Sequence, residues 1–389
     1  MRTILHLDLD AFFCAVEEFD DPSLKGKVFA VGGRPDERGV VSSCSYAARA
    51  LGIHSAMPMK LAIRQSPGLL IVEPHFHRYR EISHQVMERL HRLSPLVEQI
   101  SIDEAFVDIS DSREPAEDLA RQLQQGIWEA LHMPCSIGIA SNKLVAKIAT
   151  EAGKKKARGP NYPRALTVVE SGREAEFLAP LPAGMLWGVG KKTEAALANL
   201  GMRTIGDIAR WPESDLLQRF GKNGYDLSRH ARGVDERPVV TEHEVKSISQ
   251  EVTFARDVSD DGMVESTLKS MSSQVGRNVR RENLAGKTVK LKLRWPDFTT
   301  LTRQITLPAL TDQDQIIYEA ALALLRQVRP PHRPVRLIGV GLSGLGEPVR
   351  QMELWGQPDE KQRRLQVALD ELQEKFGKKV IDKGRSKET

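Results

Sequence analysis

Carboxylates occur in two distant parts of this sequence, each time beside apolar residues typical of strands. Asp103 and Glu104 are adjacent within the run EQISIDEAFVDI, and Asp8 and Asp10 end the alternating run TILHLDLD near the N-terminus. Carboxylate oxygens that converge are suited to Mg²⁺. Buried acids without a cation to compensate them are costly. These residues therefore predict a divalent-metal site assembled from two separate segments.

Each acidic run also has a simpler interpretation. Adjacent side chains of a regular strand point to opposite faces, so Asp103 and Glu104 act together only if the backbone breaks there. Without a break, the pair is a solvated hairpin turn. The run TILHLDLD places Leu5, Leu7 and Leu9 on one face. It fits a half-buried strand that presents its polar residues at the edge of a sheet.

Length and composition limit the class of protein. The chain has 389 residues, 40% of them hydrophobic, and a formal net charge of +4. This length allows two to four domains, and the small net charge means that any nucleic-acid surface is local. Cys14, Cys44 and Cys135 form no CxxC pair, which argues against a zinc site or a disulfide framework. Asp8 comes too early for a signal peptide, and no apolar run approaches the ~18 residues of a membrane span, so we expect a cytoplasmic protein.

The elements around the two acidic runs predict an α+β fold. Apolar periodicity indicates amphipathic helices over 75–93 and 116–131, a strand over 135–140, and a further helix that Ser141 caps. With the acidic strands, this order predicts helices on one face of a mainly antiparallel sheet.

A tyrosine and an arginine lie one helical turn apart in the run SYAARALGI, which Gly52 closes. Tyr46 and Arg49 are at positions i and i+3 and share a helix face. Together they could hold phosphate oxygens, which the guanidinium binds in a bidentate manner. A solvated surface pair remains the alternative.

The run LWGVGKKT predicts a helix-hairpin-helix whose turn contains Gly188, Gly190 and Lys191. Backbone N–H groups of such a turn contact a DNA phosphate without sequence preference. A P-loop is excluded, because Met185 and Lys192 stand where its pattern requires Gly and Ser/Thr. A purely structural helical hairpin remains possible.

The C-terminal part of the chain has a strand that alternates cations with apolar residues. Lys290, Lys292 and Arg294 share one face of this strand, which is joined to a second strand near Pro296, and Arg280 lies upstream on a predicted helix. A sheet with a basic outer face suits a duplex backbone. Ordinary solvated strands are the alternative.

Five stretches in this order and spacing resemble the Y-family lesion-bypass DNA polymerases. They are DLDAFFCAVEE (Asp8–Glu18), SYAAR (Ser45–Arg49), SIDEAFVDIS (Ser101–Ser110), SNKLVAKIA (Ser141–Ala149) and LWGVGKKT (Leu186–Thr193). The resemblance extends over roughly residues 1–350. It implies template-directed DNA synthesis past damaged bases, with nucleotidyl transfer from a dNTP to the primer 3′-hydroxyl and release of pyrophosphate.

The resemblance also implies a right-hand polymerase fold. Its expected parts are a palm (1–10 and 75–165), fingers (11–74), a helical thumb with the helix-hairpin-helix (166–233), a linker (234–244), an α/β little-finger domain (245–350) and a tail (351–389).

The resemblance assigns the acids to two Mg²⁺ ions. Asp8 and Asp103 would bridge the ions, Glu104 would bind the catalytic one, and the Leu9 carbonyl would complete the nucleotide-side site. Two metals ~3.5–4 Å apart stabilise the attacking and leaving oxygens. Asp10 matches the family, and we expect it to support the site rather than bind metal.

Nucleotide contacts are implied in the same way. Phe13 occupies the steric-gate position, where an aromatic ring leaves no room for a ribose 2′-hydroxyl, and Phe12 would then belong to the core. Tyr46 and Arg49 would hold the β- and γ-phosphates.

The loop after the SNKLVAKIA helix departs from the family. A Lys-Pro-Asn/Arg-Gly turn is common there, whereas this chain reads AGKKKARGPNYPRALTVV, which is longer and has three lysines. Counting from the helix favours Lys154 as the triphosphate lysine, and Lys155 and Lys156 remain alternatives.

The tail run QMELW resembles the clamp-binding peptides of bacterial polymerases, with Gln351, Leu354 and Trp355 in the matching positions. The expected partners are therefore primer-template DNA, dNTP and a sliding clamp, for a protein that is a monomer and does not enter a membrane.

Two other functions are compatible with parts of the sequence. A non-catalytic accessory protein on the same scaffold typically lacks the metal carboxylates, and Asp8, Asp103 and Glu104 are all present. A nucleotidyl cyclase or nuclease on a palm-like fold needs neither the helix-hairpin-helix, the Phe13 gate nor the basic sheet.

Overall fold

The computed structural model describes residues 2–157, 159, 161–348, 366, 368–372 and 375. The chain divides into two compact units, Met1–His243 and Glu244–Thr389. Within the described residues, no helix combines the length and apolarity needed to cross a membrane.

The first unit alternates short strands and helices. In chain order these are β1 (Ile4–Leu9), α1 (Phe12–Asp20), β2 (Phe29–Gly32), β3 (Val41–Cys44), α2 (Tyr46–Ala50), α3 (Met59–Gln65), β4 (Leu70–Val72), α4 (Phe76–Leu93), β5 (Val97–Gln99), β6 (Glu104–Asp108), α5 (Ala116–Leu131), β7 (Cys135–Ala140), α6 (Lys143–Lys156), β8 (Leu166–Val168), α7 (Glu174–Leu178), α8 (Lys191–Asn199), α9 (Ile205–Arg210), α10 (Glu213–Phe220) and α11 (Lys222–Ala231).

The strand that carries the first acids lies in the middle of a five-stranded sheet, not at its edge. The strand order is β5-β6-β1-β7-β8, and β1 is antiparallel to both of its neighbours. All six residues of β1 are buried. The expectation of a half-buried strand was therefore wrong, because alternation in the sequence does not reveal whether the more polar face is also covered.

Helices cover both faces of this sheet, which corrects the expectation of helices on one face. Leu5 and Leu7 pack in a core with residues of α1, α4 and α5, whereas Ile4 packs with residues of α6 and the following helices. Gly138 on β7 lets α6 come close, since a Cβ atom there would lie 2.1 Å from the Ala146 carbonyl oxygen. The His6 Nδ1 is 2.9 Å from the Thr150 hydroxyl of α6.

Most elements predicted near the acids are confirmed, including α4, α5 and β7. The start and length of α6 differ from the prediction. Its N-cap is Asn142, whose side chain accepts the Val145 N–H at 3.0 Å, while the Ser141 hydroxyl donates to Glu174. The helix continues to Lys156, so all three lysines of the run Lys154–Lys156 are helical.

Residues 27–72 contain a second, smaller sheet with the strand order β3-β2-β4. It has its own core, to which Ala30, Val41, Ile53 and Met59 contribute. Gly52 follows α2 with a φ of +82°, in the left-handed region that ends many helices, as predicted.

The predicted helix-hairpin-helix is present in a shortened form. A 3₁₀ turn (Ala183–Met185) takes the place of a full first helix, and α8 begins after Gly190. Gly188 has a φ of +96°, which explains the need for glycine in the turn.

The stretch expected to be a linker is bound to the first unit through most of its length. Asp235 accepts the Leu144 N–H at 3.1 Å, and Glu98 accepts the Val240 N–H at 2.8 Å. The division between the two units follows His243.

The second unit is a layer of two helices on a four-stranded antiparallel sheet. Its elements are β9 (Ser247–Val258), α12 (Asp261–Arg281), β10 (Ala285–Arg294), β11 (Thr300–Thr311), α13 (Asp314–Val328) and β12 (Val335–Gly346), with the strand order β11-β10-β12-β9. Val289, Leu291 and Leu293 of β10 are buried against the helices. Lys290 and Lys292 alternate with them. On the β12 side they pair with Gly341 and Gly339, which carry no side chains, whereas β11 places Gln304 and Thr302 opposite them.

Candidate active site

A sharp turn at the end of β1 brings acidic and aromatic side chains to one cleft. After Leu9, the chain turns at Asp10 and Ala11, and α1 begins at Phe12. Ala11 has φ 45° and ψ 47°, a left-handed conformation that is uncommon for a residue with a Cβ atom. This turn lets Asp8 on the strand and Phe13 on the helix line the same cleft of about 440 Å³.

Three carboxylates meet at the end of β1. Asp8 and Glu104 are directly opposite each other in the antiparallel register of β1 and β6, and Glu151 approaches from α6. One ligand oxygen from each lies within 4.8 Å of the others, as in a group that could hold a metal ion. The convergence of Asp8 with Glu104 agrees with the sequence analysis. Glu151 was not anticipated, although it lies one helical turn before Lys154.

Asp103 lines the same cleft, but it does not belong to this cluster. The backbone bends through residues 101–103 before β6 begins at Glu104. The backbone carbonyl of Asp103 accepts the Leu9 N–H at 3.0 Å. The side-chain Oδ1 of Asp103 accepts the Ser101 hydroxyl at 2.6 Å. The expected break in the backbone at the acidic pair is therefore present, with the Asp103 carboxylate bonded to its own turn.

Two lysines of α6 compensate the acidic cluster. The Lys147 ammonium is 2.7 Å from Glu104 Oε2. Lys154 bonds to Asp8 and lies 3.7 Å from Asp10 Oδ1. Burial opposes the charge of Lys154, yet the carboxylates of Asp8 and Asp10 outweigh it and raise the pKa of the lysine.

The acids at the end of β1 lie in surroundings that disfavour their charge. Burial raises the pKa of Asp8 well above its usual value, against the attraction of the Lys154 ammonium, and the neighbouring Glu104 raises it further. A site of this kind stabilises a cation that approaches the carboxylates. The donor set consists of oxygens alone, which fits a hard divalent cation such as Mg²⁺.

Asp10 holds parts of the protein together instead of facing the cluster. Its side chain is fully buried, Oδ1 accepts the Ser136 hydroxyl at 2.8 Å, and Oδ2 accepts the Arg164 N–H at 3.0 Å. Burial raises the pKa of Asp10, and these hydrogen bonds oppose that shift. The geometry agrees with the supporting role expected for this residue.

Phe13 forms one wall of the cleft and is supported from behind. Its ring stacks on Tyr79 with centroids 4.2 Å apart and planes 10° apart. The Tyr79 hydroxyl donates to Glu17, which also lies 2.9 Å from the His75 Nδ1. Phe12 is 2% exposed and belongs to the core, as expected.

Tyr46 and Arg49 also line the cleft. The Arg49 guanidinium lies 4.7 Å from the centroid of the Tyr46 ring, and its Nε donates to the Cys44 carbonyl at 3.2 Å. Burial, with Asp10 nearby, raises the pKa of Tyr46 to about 12, so the phenol remains a hydrogen-bond donor at neutral pH. Both side chains thus line the cleft that also contains Asp8, which a separate surface pair would not do.

Comparison with known proteins identifies the family of this chain. The impB/mucB/samB family model matches residues 7–151, and the model of that family's C-terminal domain matches residues 245–354. The chain belongs to this family of Y-family DNA polymerases. Members of the family are DNA-directed DNA polymerases, so the predicted enzyme class and the predicted Y-family translesion type are confirmed.

Curated relatives match nearly the whole chain. The DNA polymerase IV of Desulfatibacillum aliphaticivorans is 40% identical, covering 97% of this chain and 95% of the relative. The DNA polymerase IV of Dehalococcoides mccartyi (strain CBDB1) is 37% identical, covering 99% and 98%.

Solved structures of this family share the fold. A Y-family DNA polymerase chimera, Dbh-Dpo4(243-245)-Dbh, has a TM-score of 0.77 at 24% identity, covering 89% of this chain and 100% of that one. A Dbh ternary complex has a TM-score of 0.62 at 26% identity, covering 88% and 98%. The predicted α+β fold of a Y-family polymerase is confirmed.

The residues predicted to contact DNA in this Y-family chain differ in exposure. Gly188, Gly190 and Lys191 are exposed, and open space surrounds both glycines. Lys290 is exposed on β10, and Lys292 is half-buried and 2.6 Å from Glu251.

Arg280 does not lie at the surface. Its side chain is 5% exposed, with ion pairs of 2.9 Å to Asp314 and 2.7 Å to Asp370. These ion pairs link α12 to α13 and to Asp370, and we do not retain Arg280 among the proposed DNA contacts.

Two further predictions concern the three lysines at the end of α6 and the clamp-binding residues of the tail. Lys154 and Lys155 both line the cleft, and Lys156 is exposed at the end of α6. Of these three lysines Lys154 bonds to Asp8, and its assignment to the triphosphate, which counting from the helix favoured, stays a prediction. The predicted clamp-binding residues Gln351, Leu354 and Trp355 lie outside the described residues.

Proposed function

We propose that this Y-family polymerase carries out template-directed DNA synthesis past damaged bases, transferring a nucleotide from a dNTP to the primer 3′-hydroxyl with release of pyrophosphate. The observation that supports this most directly is the cross-strand pair Asp8 and Glu104. It lies beside a cleft that also contains Phe13, Tyr46 and Arg49.

We further propose that Asp8, Asp103, Glu104 and the Leu9 carbonyl hold two Mg²⁺ ions. Bound there, the ions would supply Lewis acidity to the attacking and leaving oxygens. The carboxylates determine where the ions would lie. Their positions are held because β1 and β6 are interior strands of the sheet that are packed on both faces. The Ser101 hydroxyl bonds to one oxygen of the Asp103 carboxylate, so the other oxygen would bind the metal.

The remaining cleft residues bind and select the nucleotide in this proposal. Lys154, Tyr46 and Arg49 contact the triphosphate, with Lys155 and Lys156 as the alternatives to Lys154. Lys154 bonds to Asp8 in this structure, and its ammonium would bind phosphate in place of Asp8 when the triphosphate is bound.

Phe13 excludes a ribose 2′-hydroxyl by steric contact. The stacked Tyr79 behind it prevents the ring from yielding, since Tyr79 is fully buried.

DNA binding is proposed for the thumb and the little finger. A Dbh ternary complex of similar fold is described with partially disordered substrates. We keep the assignment of palm (1–10 and 75–165), fingers (11–74), thumb (166–233), linker (234–244) and little finger (245–350) as a proposal. Gly188, Gly190 and Lys191 would contact one stretch of backbone, and Lys290 and Lys292 another. We also keep as proposals a sliding-clamp partner, a monomeric state and a cytoplasmic location.

One experiment tests the metal assignment. Asp103→Asn and Glu151→Gln each remove one carboxylate charge from the same cleft, so they form a matched pair. We expect Asp103→Asn to lower primer extension with Mg²⁺ by more than about 10³-fold, since several kcal/mol of charge stabilisation is lost. Glu151→Gln should retain extension within about tenfold, and both variants should bind primer-template DNA like the unmodified protein.

The opposite ranking would assign the metal to Asp8, Glu104 and Glu151 instead. Retained extension in an Asp8→Asn variant would refute the carboxylate site altogether.

A further inference from the structure

Tyr162 lies in the long loop between α6 and β8, where the chain departs from the common pattern of its family. Its hydroxyl donates to Glu18 Oε2 of α1 at 3.0 Å. Its ring packs edge-on against Tyr46, with centroids 5.5 Å apart and planes 75° apart. Because Tyr46 lines the acidic cleft, Tyr162 connects this loop to the nucleotide side of the proposed site.

Contacts of Arg164 and Ala165 hold the same loop against the sheet and α5. The Arg164 N–H donates to the buried Asp10 at 3.0 Å, and the Arg164 guanidinium lies 4.7 Å from the centroid of the Trp128 ring. The next N–H, of Ala165, donates to the Ser136 hydroxyl at 3.0 Å. Arg164 has a φ of +43°, so the backbone here adopts a conformation that these contacts must maintain.

The hydrogen bond from the Tyr162 hydroxyl to Glu18 is suited to hold the Tyr162 side chain in a fixed position. Burial raises the pKa of Glu18, and burial together with the Glu18 carboxylate raises the pKa of Tyr162. The phenol therefore remains protonated and donates its hydrogen bond throughout the neutral range. A hydrogen bond to a carboxylate is stronger than one between neutral groups.

We propose that Tyr162 is a positioning residue that holds Tyr46 in the orientation from which it contacts the triphosphate of the incoming nucleotide. Tyr46 is in contact with Arg49 and with Tyr162, and both contacts restrict its rotamers. Aromatic pairs of this kind prefer an edge-to-face arrangement, which defines the ring orientation. This proposal rests on the proposed function, because it assigns Tyr46 to nucleotide binding.

Steady-state primer extension separates nucleotide binding from the chemical step. We expect Tyr162→Ala to raise KM for dNTP about three- to tenfold, the strength of an aromatic pair, with kcat changed less than about twofold. Tyr162→Phe keeps the ring but loses the Glu18 contact, and it should raise KM about two- to threefold. Tyr225→Phe, on the exposed part of α11, is the control and should leave both constants unchanged.

A double-mutant cycle tests whether Tyr162 acts through Tyr46. If it does, Tyr46→Ala combined with Tyr162→Ala should have the KM of Tyr46→Ala alone. A general structural role of Tyr162 would instead multiply the two effects, and that result would overturn the proposal. Unchanged KM in Tyr162→Phe would overturn it also, which keeps the test decisive if Tyr162→Ala fails to fold.

Failure of this proposal is distinguishable from failure of the proposed function. A raised KM in Tyr46→Ala beside an unchanged KM in both Tyr162 variants would overturn the positioning role alone. An unchanged KM in Tyr46→Ala would overturn the nucleotide role of Tyr46 and the positioning role together. Absence of primer extension by the unmodified protein would refute the proposed function itself.

Discussion

The buried ion pair between Glu98 and Lys143 makes a strong prediction about stability. The Lys143 Nζ is 2.7 Å from Glu98 Oε2, and the two side chains are 5% and 7% exposed. The same oxygen accepts the Val240 N–H at 2.8 Å. Glu98→Gln keeps the size of the side chain and an acceptor for Val240, but leaves the Lys143 ammonium buried without its counter-charge. Breaking a buried pair from one side costs about 3–5 kcal/mol, so we expect this loss in the free energy of unfolding of the first unit.

Urea unfolding combined with hydrogen exchange of the α6 amides measures this loss in the unit that contains the pair. The control is Glu117→Gln, which breaks the ion pair with Arg121. The Glu117 side chain is 50% exposed and the Arg121 side chain is 64% exposed. A surface pair of this kind contributes about 0–1 kcal/mol. Combining Glu98→Gln with Lys143→Met removes both charges, and it should recover most of the lost free energy of unfolding.

Two results would refute this reasoning. If Glu98→Gln lowers the free energy of unfolding by no more than Glu117→Gln does, burial does not isolate the Glu98–Lys143 pair from solvent. If the combined variant is no more stable than Glu98→Gln, the cost does not come from the uncompensated charge on Lys143.

Three further predictions concern selectivity and partners. Phe13→Ala should raise ribonucleotide insertion about 10- to 200-fold, whereas Phe19→Ala on the exposed side of α1 should not; equal sugar selectivity in both would place the gate elsewhere. Lys290→Ala should weaken primer-template binding and reduce the slope of log K against log salt by about 1, and an unchanged slope would exclude a phosphate contact. Deletion of residues 351–355 should abolish stimulation of primer extension by the sliding clamp and leave basal extension intact; loss of both would make this peptide part of the folded structure.

Local sequence patterns were sufficient for most helices and strands. The 3.6-residue periodicity of α4 and α5 predicted these helices closely, because each buries one face, and the apolar run of β7 predicted a strand whose six residues are all buried. The distant acids Asp8 and Glu104 were also brought together correctly, through the family resemblance, and the structure places them opposite each other in one register.

Other features depended on what packs against each element. Lys290 and Arg280 both appeared as surface cations in the sequence, but only Lys290 is exposed. Arg280 is enclosed by Asp314 of α13 and by Asp370, which lies 90 positions further along the chain. Sequence spacing carries no information about such a distant partner, so the burial of Arg280 could not be anticipated.

The sequence by itself determined the family, the enzyme class and the identity of the acidic pair on β1 and β6. Only the tertiary structure decided that β1 is a central strand, that Glu151 joins Asp8 and Glu104, and that Asp103 bonds to Ser101. The physical reason is that residue types and local periodicity fix which faces can be buried. Which distant groups then meet within a few ångströms depends on the packing of α6 against the sheet.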